Sequence, residues 1–274
     1  MATFVLIHGA GDVGWYWHLV EAELRRRGHD TVAPDLPCDD DTAGLTEYAD
    51  AVISAVGAST GNLTDEHTGK PADNRTGKPA DERTGNQAGE RTGKPADNRT
   101  GKPTDERTGN PGGGRTGKVV VVGQSLGGFT APLVCERLRA DLLVLVAPMI
   151  PAPGESVIEY WRNTGYDQEP TGDHNGTIEL FYQDVPPALA AEAVERGKNQ
   201  SDARMGEPSP LTRWPDVPTR VVLCRDDRLF PPRYLRRVAA ERLGVTPDEI
   251  EGGHTPALSR PRELAALLDS FLSR

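Results

Sequence analysis

Little in this chain invites a metal, a membrane or a nucleic acid. Cysteine is scarce: Cys38, Cys135 and Cys224 are the only 3 in 274 residues. Their wide spacing offers neither a metal-ligand pair nor a disulfide framework. The expectation is reduced thiols in a cytoplasmic protein, with no metal and no cofactor. No apolar run approaches the roughly 20 residues that cross a bilayer. The opening MATFVLIHG lacks a basic flank and passes straight into a strand pattern, so no signal peptide is expected. Positive charge is also short: 31 Lys and Arg against 41 Asp and Glu leave a net charge of −10, which nucleic-acid phosphates would repel.

One stretch lacks the means to fold at all. From Thr60 the chain repeats an eight-residue unit, TGNLTDEH, TGKPADNR, TGKPADER, TGNQAGER, TGKPADNR, TGKPTDER, TGNPGGGR. Apart from alanines, residues 60–115 hold a single aliphatic side chain, Leu63, and no aromatic. Too little apolar surface is on offer to offset the entropy of ordering the segment, and no apolar residue recurs to stack a solenoid. A disordered insert is expected. Joining Ser59 to Thr116 leaves a short helix-to-strand loop and one domain built from residues 1–59 and 116–274.

That remainder alternates strand and helix. Strand patterns cover residues 3–7, 31–33, 118–122, 142–146, 220–224 and 249–251. Helical spacing covers 15–27, 45–56, 126–138, 232–243 and 260–272. Strands too apolar to face water imply a mostly parallel sheet of about six strands with helices on both faces. Loops at the carboxyl ends of such strands carry the chemistry. His8, Ser125, Asp227 and His254 all fall there, whereas the insert enters at an amino end.

Ser125 stands in Gly123-Gln124-Ser125-Leu126-Gly127, between an apolar strand and a helix. A hydroxyl is pushed clear of a sharp strand-to-helix turn only where its neighbours two before and two after lack side chains, and both are glycine. Serine needs a base, and the base needs a carboxylate. Of six histidines, His254 has the best claim, after the last strand in Glu251-Gly252-Gly253-His254. His18 and His29 read as exposed helix or turn residues, His67 falls in the repeats, and His174 in an irregular stretch. His8 reads as a brace for its own loop. Either Asp226 or Asp227 is placed to face the base. The Leu126 amide and one from His8-Gly9-Ala10-Gly11, with Ala10 favoured, are expected to hold an oxyanion.

VLIHGAG, GWYW, APDLP, VVVGQSLGGF, CRDDRLFP and GGHTPALSRP, in this order, resemble the α/β-hydrolase superfamily. The likeness is to its small single-domain branch of bacterial esterases, plant methylesterases and hydroxynitrile lyases. It spans all but the repeats and implies an α/β-hydrolase fold with a small cap at about 149–214. It assigns Ser125 as nucleophile, His254 as base, Asp227 as acid through its spacing to Pro231, and the Ala10 and Leu126 amides as oxyanion donors. Thr255 stands where the lyases carry lysine, which argues against cyanohydrin cleavage. In this resemblance Trp15, Trp17, Phe129, Trp161 and Phe181, with Tyr160 and Tyr182, are expected to line an apolar slot for a small-molecule ester. The implied activity is hydrolysis of a carboxylic ester through an acyl-serine. Thioester, lactone and acyl-transfer chemistry on the same triad, and a small-molecule receptor that no longer turns over, are the alternatives.

Overall fold

The computed structural model describes residues 1–65, 117–169 and 176–273. The repeats from Glu66 onward, including His67, and His174 lie outside the described residues; of the expected disordered insert over 60–115, residues 60–65 are helical and the rest lies outside them. In chain order the strands are β1 (Ala2–Ile7), β2 (Asp30–Val32), β3 (Lys118–Gln124), β4 (Leu142–Val146), β5 (Thr219–Cys224) and β6 (Asp248–Ile250). The helices are α1 (His18–Arg26), α2 (Leu45–Asp65), α3 (Gly127–Leu138), α4 (Val157–Asn163), α5 (Thr177–Phe181), α6 (Pro187–Arg196), α7 (Pro232–Leu243), α8 (Pro256–Ser259) and α9 (Pro261–Ser270).

The strands form one parallel sheet in the order β2-β1-β3-β4-β5-β6. Alternate side chains of a strand point to opposite faces, and here both faces are apolar. Val5, Ile7, Val119, Val121, Leu143, Leu145, Val221 and Leu223 enter one core, which Tyr48 and Val52 of α2, Phe129 and Val134 of α3, and Tyr234 and Val238 of α7 complete. Phe4, Leu6, Val120, Val122, Val144, Val222 and Cys224 enter the other, beneath Val20 and Leu24 of α1, Leu258 of α8, and Leu264 and Leu268 of α9. Burying each Val or Leu is worth about 1.5–3 kcal/mol, so strands of this composition are stable only between two helical layers.

From β1 the chain steps outward to β2, then returns across β1 to β3 and proceeds the other way. The loops after β1 and β3 therefore part over a crevice at the carboxyl edge of the sheet, where such folds bind ligands. α4, α5 and α6 lie in sequence between β4 and β5, in the stretch expected to form a cap.

Three element boundaries differ from the sequence pattern. α2 continues to Asp65, past residue 56 and into the first octapeptide. The expected helix over 15–27 is a 3-10 turn, Gly14–Trp17, followed by α1. The closing helix over 260–272 is preceded by α8 and begins at Pro261, because a proline has no N–H to donate and disfavours helical geometry in the residue before it; Arg260 has φ −134° and ψ 44°.

Candidate active site

β3 runs straight into Ser125, whose φ of +51° is in the left-handed region. A non-glycine residue there carries a cost of about 1–2 kcal/mol. Its carbonyl accepts from Gly128 N at 2.9 Å and Met149 N at 3.0 Å, and its amide donates to Val146 O at 3.2 Å, which hold the strained turn. The flanking glycines are steric necessities. A Cβ on Gly123 would stand 2.6 Å from Gly127 O, and one on Gly127 2.8 Å from His8 O. The elbow thus packs against β1 and its own helix with no room for a side chain.

Asp227, in the turn after β5, is buried. Its Oδ1 accepts from the amides of Leu229 and Phe230, both at 2.9 Å. Its Oδ2 lies 2.9 Å from His254 Nδ1. With one oxygen occupied by two N–H groups, the other is left to accept a hydrogen bond from the imidazole, so Nδ1 is the N–H and Nε2 the free lone pair. His254 Nε2 is buried with no hydrogen-bond partner among the described residues. Phe181 and Phe230 meet the imidazole ring edge-on at centroid distances of 5.5 and 5.4 Å. Asp226, the other candidate, is exposed and braces the β5 and β6 turns: its Oδ2 accepts from Gly252 N at 3.3 Å and its amide donates to Gly252 O at 3.0 Å.

Ser125 and His254 line one cavity of about 270 Å³ together with Ala10, Asp12, Gln124, Phe181, Tyr182, Val194 and Lys198. Gln124 spans the two loops, its Nε2 donating to His254 O at 3.2 Å. The Ala10 and Leu126 amides have no acceptor among the described residues, and Leu126 is the N-cap of α3, whose first amides carry the positive end of the helix dipole. His8 braces its loop: Nδ1 donates to Gly9 O at 2.9 Å and Nε2 accepts from Leu36 N at 3.0 Å. Burial pushes the His8 imidazole down to about 4, so this neutral pattern persists at ordinary pH.

Of the seven aromatics expected in the pocket, Phe181 and Tyr182 stand in this cavity wall, and Tyr160 is fully buried. Trp17 and Phe129 are fully buried in the two cores. Trp15 stacks on His18 beneath Arg196, and Trp161 packs on Tyr160, Tyr166 and Phe230. Their expected place in the slot is corrected: large rings at these spacings serve packing, which sequence spacing alone does not separate from a ligand wall. Asp12 was missed for want of a motif. Ala193, Val194 and Lys198 were missed because the end of α6 reaches the site only through the cap's course.

A parallel sheet in this order, with a nucleophile-type elbow at its switch point, defines an α/β-hydrolase fold. The chain belongs to the alpha/beta hydrolase family, whose sequence model matches residues 4–267. It is similar to the probable esterase PIR7A of Oryza sativa, subspecies indica, at 26% identity over 302 residues, covering 97% of this chain and 94% of that protein. Among solved structures it superposes on polyneuridine aldehyde esterase with a TM-score of 0.67 at 18% identity, covering 99% of both chains. A pyrethroid hydrolase from Sphingobium faniae JZ-2 follows the same fold with a TM-score of 0.59 at 17% identity, covering 99% of this chain and 97% of the other.

Proposed function

We propose that this protein is a serine esterase that cleaves a small carboxylic ester in two acyl-transfer steps. The observation that carries the reading is the buried Asp227–His254 pair, 2.9 Å apart, whose imidazole opens onto the same cavity as Ser125. Ser125 Oγ attacks the ester carbonyl as His254 Nε2 takes its proton, and Asp227 holds the tautomer and stabilises the imidazolium. The Ala10 and Leu126 amides receive the charge that develops on the carbonyl oxygen, each such donor being worth about 3 kcal/mol of barrier. His254 then protonates the departing alcohol. Water, deprotonated by the same nitrogen, releases the acid from Ser125 in the second step. Names among the relatives, an esterase in rice and polyneuridine aldehyde esterase, support an ester as the substrate class.

The three cysteines are free and buried, which supports placing the protein in the reducing cytoplasm. No helix among the described residues is long and apolar enough to cross a membrane.

Labelling with a fluorophosphonate tests the reading. Rapid modification of the wild type, lost in Ser125→Ala, is expected, together with turnover of p-nitrophenyl esters in a panel of increasing acyl length. A folded wild type that neither labels nor turns over would point instead to a receptor built on the same fold.

A further inference from the structure

The cleft holds a carboxyl that acyl transfer leaves without a task. Asp12 stands two residues beyond Ala10 in the loop after β1 and lines the same cavity as Ser125 and His254. Its carboxyl has one side-chain partner among the described residues, Tyr182 Oη from the cap, at 3.5 Å from Oδ1. That contact is too long to satisfy the group. Burial pushes the carboxyl up to about 7, against the pull of His254 and the Tyr182 hydroxyl. Near neutrality much of it is the uncharged acid, with an O–H to give and oxygens that accept. Phe181, Ala193 and Val194 supply apolar wall around it. A few polar groups set in an apolar wall are what fix a small ligand's orientation.

We propose that Asp12, with Tyr182, recognises a hydroxyl group carried by the ester substrate. This deepens the esterase reading and rests on it. A hydroxyl is the complement of both partners: it accepts from the acid's O–H or from Tyr182 Oη and donates to a carboxyl oxygen, and it satisfies the pair in either ionisation state of Asp12. The shared chemistry has two sources, a hydroxyl on the acyl chain or one on the alcohol.

The test compares kcat/KM for ethyl 3-hydroxybutyrate with ethyl butyrate, and for 2-hydroxyethyl butyrate with propyl butyrate. A site built to pair a hydroxyl rejects the analogue lacking it strongly, so a preference of about tenfold or more is expected in one pair, which names the side of the ester. In Asp12→Leu or Asp12→Ala, whichever retains a cooperative melt, that ratio is expected to fall close to one; Tyr182→Phe lowers it in part and serves if neither Asp12 variant folds. A wild type indifferent in both pairs, or a ratio that survives these substitutions, overturns the proposal. So does a variant that moves only the pH profile, since that assigns Asp12 to tuning His254. Absence of turnover with every ester, with Ser125 unlabelled, defeats the esterase reading separately. The hydroxyl preference is then read as the ratio of Kd values for the same pairs on the Ser125→Ala protein, where equal affinities overturn it.

Discussion

Two aspartates next to each other in sequence meet opposite fates at the end of β5. Asp227 is turned inward and takes two amides and an imidazole, while Asp226 stays at the surface and holds a turn. Asp227→Asn is therefore expected to lower kcat by about 10³–10⁴, because an amide in that place favours the wrong tautomer of His254. Asp226→Asn is expected to stay within a few-fold, and steady-state kinetics on the two purified variants separates them. Asp12 makes a second prediction. A carboxyl whose folded value is raised stays protonated while the unfolded chain ionises, so it costs stability increasingly as pH rises from about 4 to about 7. Relative to the wild type, Asp12→Asn should gain on the order of 2 kcal/mol across that window, measured by denaturant unfolding at pH 4.5 and 7. His254 and Tyr182 act on the Asp12 carboxyl, and Tyr16, Cys38 and Tyr182 in turn lose the influence of its charge in the variant. His8 acts with the opposite sign, its depressed value removing stability as pH falls from about 6.5 to about 4.

At the scale of elements, the cap is stitched to the loops that carry the catalytic candidates. Thr255 Oγ1 donates to Phe181 O at 2.6 Å, Gln183 Nε2 to Asp226 O at 2.8 Å, and Gly253 N to Asp184 Oδ2 at 3.0 Å. The glycine pair before His254 follows from this contact. Gly252 has φ +102°, and a Cβ on Gly253 would stand 2.5 Å from Gln183 Nε2. Asp184→Ala leaves the Gly253 amide without its acceptor, a loss of about 1–3 kcal/mol. A lower melting temperature and a reduced kcat with KM less affected are expected. On the other side, Tyr234 Oη of α7 lies 2.9 Å from Thr164 Oγ1 and 3.1 Å from Tyr160 Oη, and Arg242 pairs with Glu155. The sequence pattern placed all six strands and the main helices, since apolar periodicity is a local property. It left the cap as an irregular stretch, because α4 and α5 are 7 and 5 residues long and take their stability from these cross-links, which no local spacing encodes.

At the scale of the whole molecule, the residues named for the cleft all come from residues 1–65 and 117–273, outside the repeat tract from Glu66 onward. Residues 60–115 carry ten Lys or Arg and nine Asp or Glu, and almost no apolar surface with which to stabilise anything else. Deleting residues 66–115, which spares all of α2, is expected to leave ester turnover and melting temperature unchanged. A fall in either would give the tract a folding or catalytic task.

The alternation of apolar strands with helices, the small residues around Ser125 and the order serine, aspartate, histidine are properties of the linear chain, and they sufficed for the fold and for naming the candidate groups. Tertiary structure alone decided which aromatics pack and which face the cleft, which of two adjacent aspartates is buried, and that Asp12 lines the same cavity as His254. These depend on which distant surfaces close over a given side chain, and burial of that kind is set by the assembled layers and not by any neighbour in sequence.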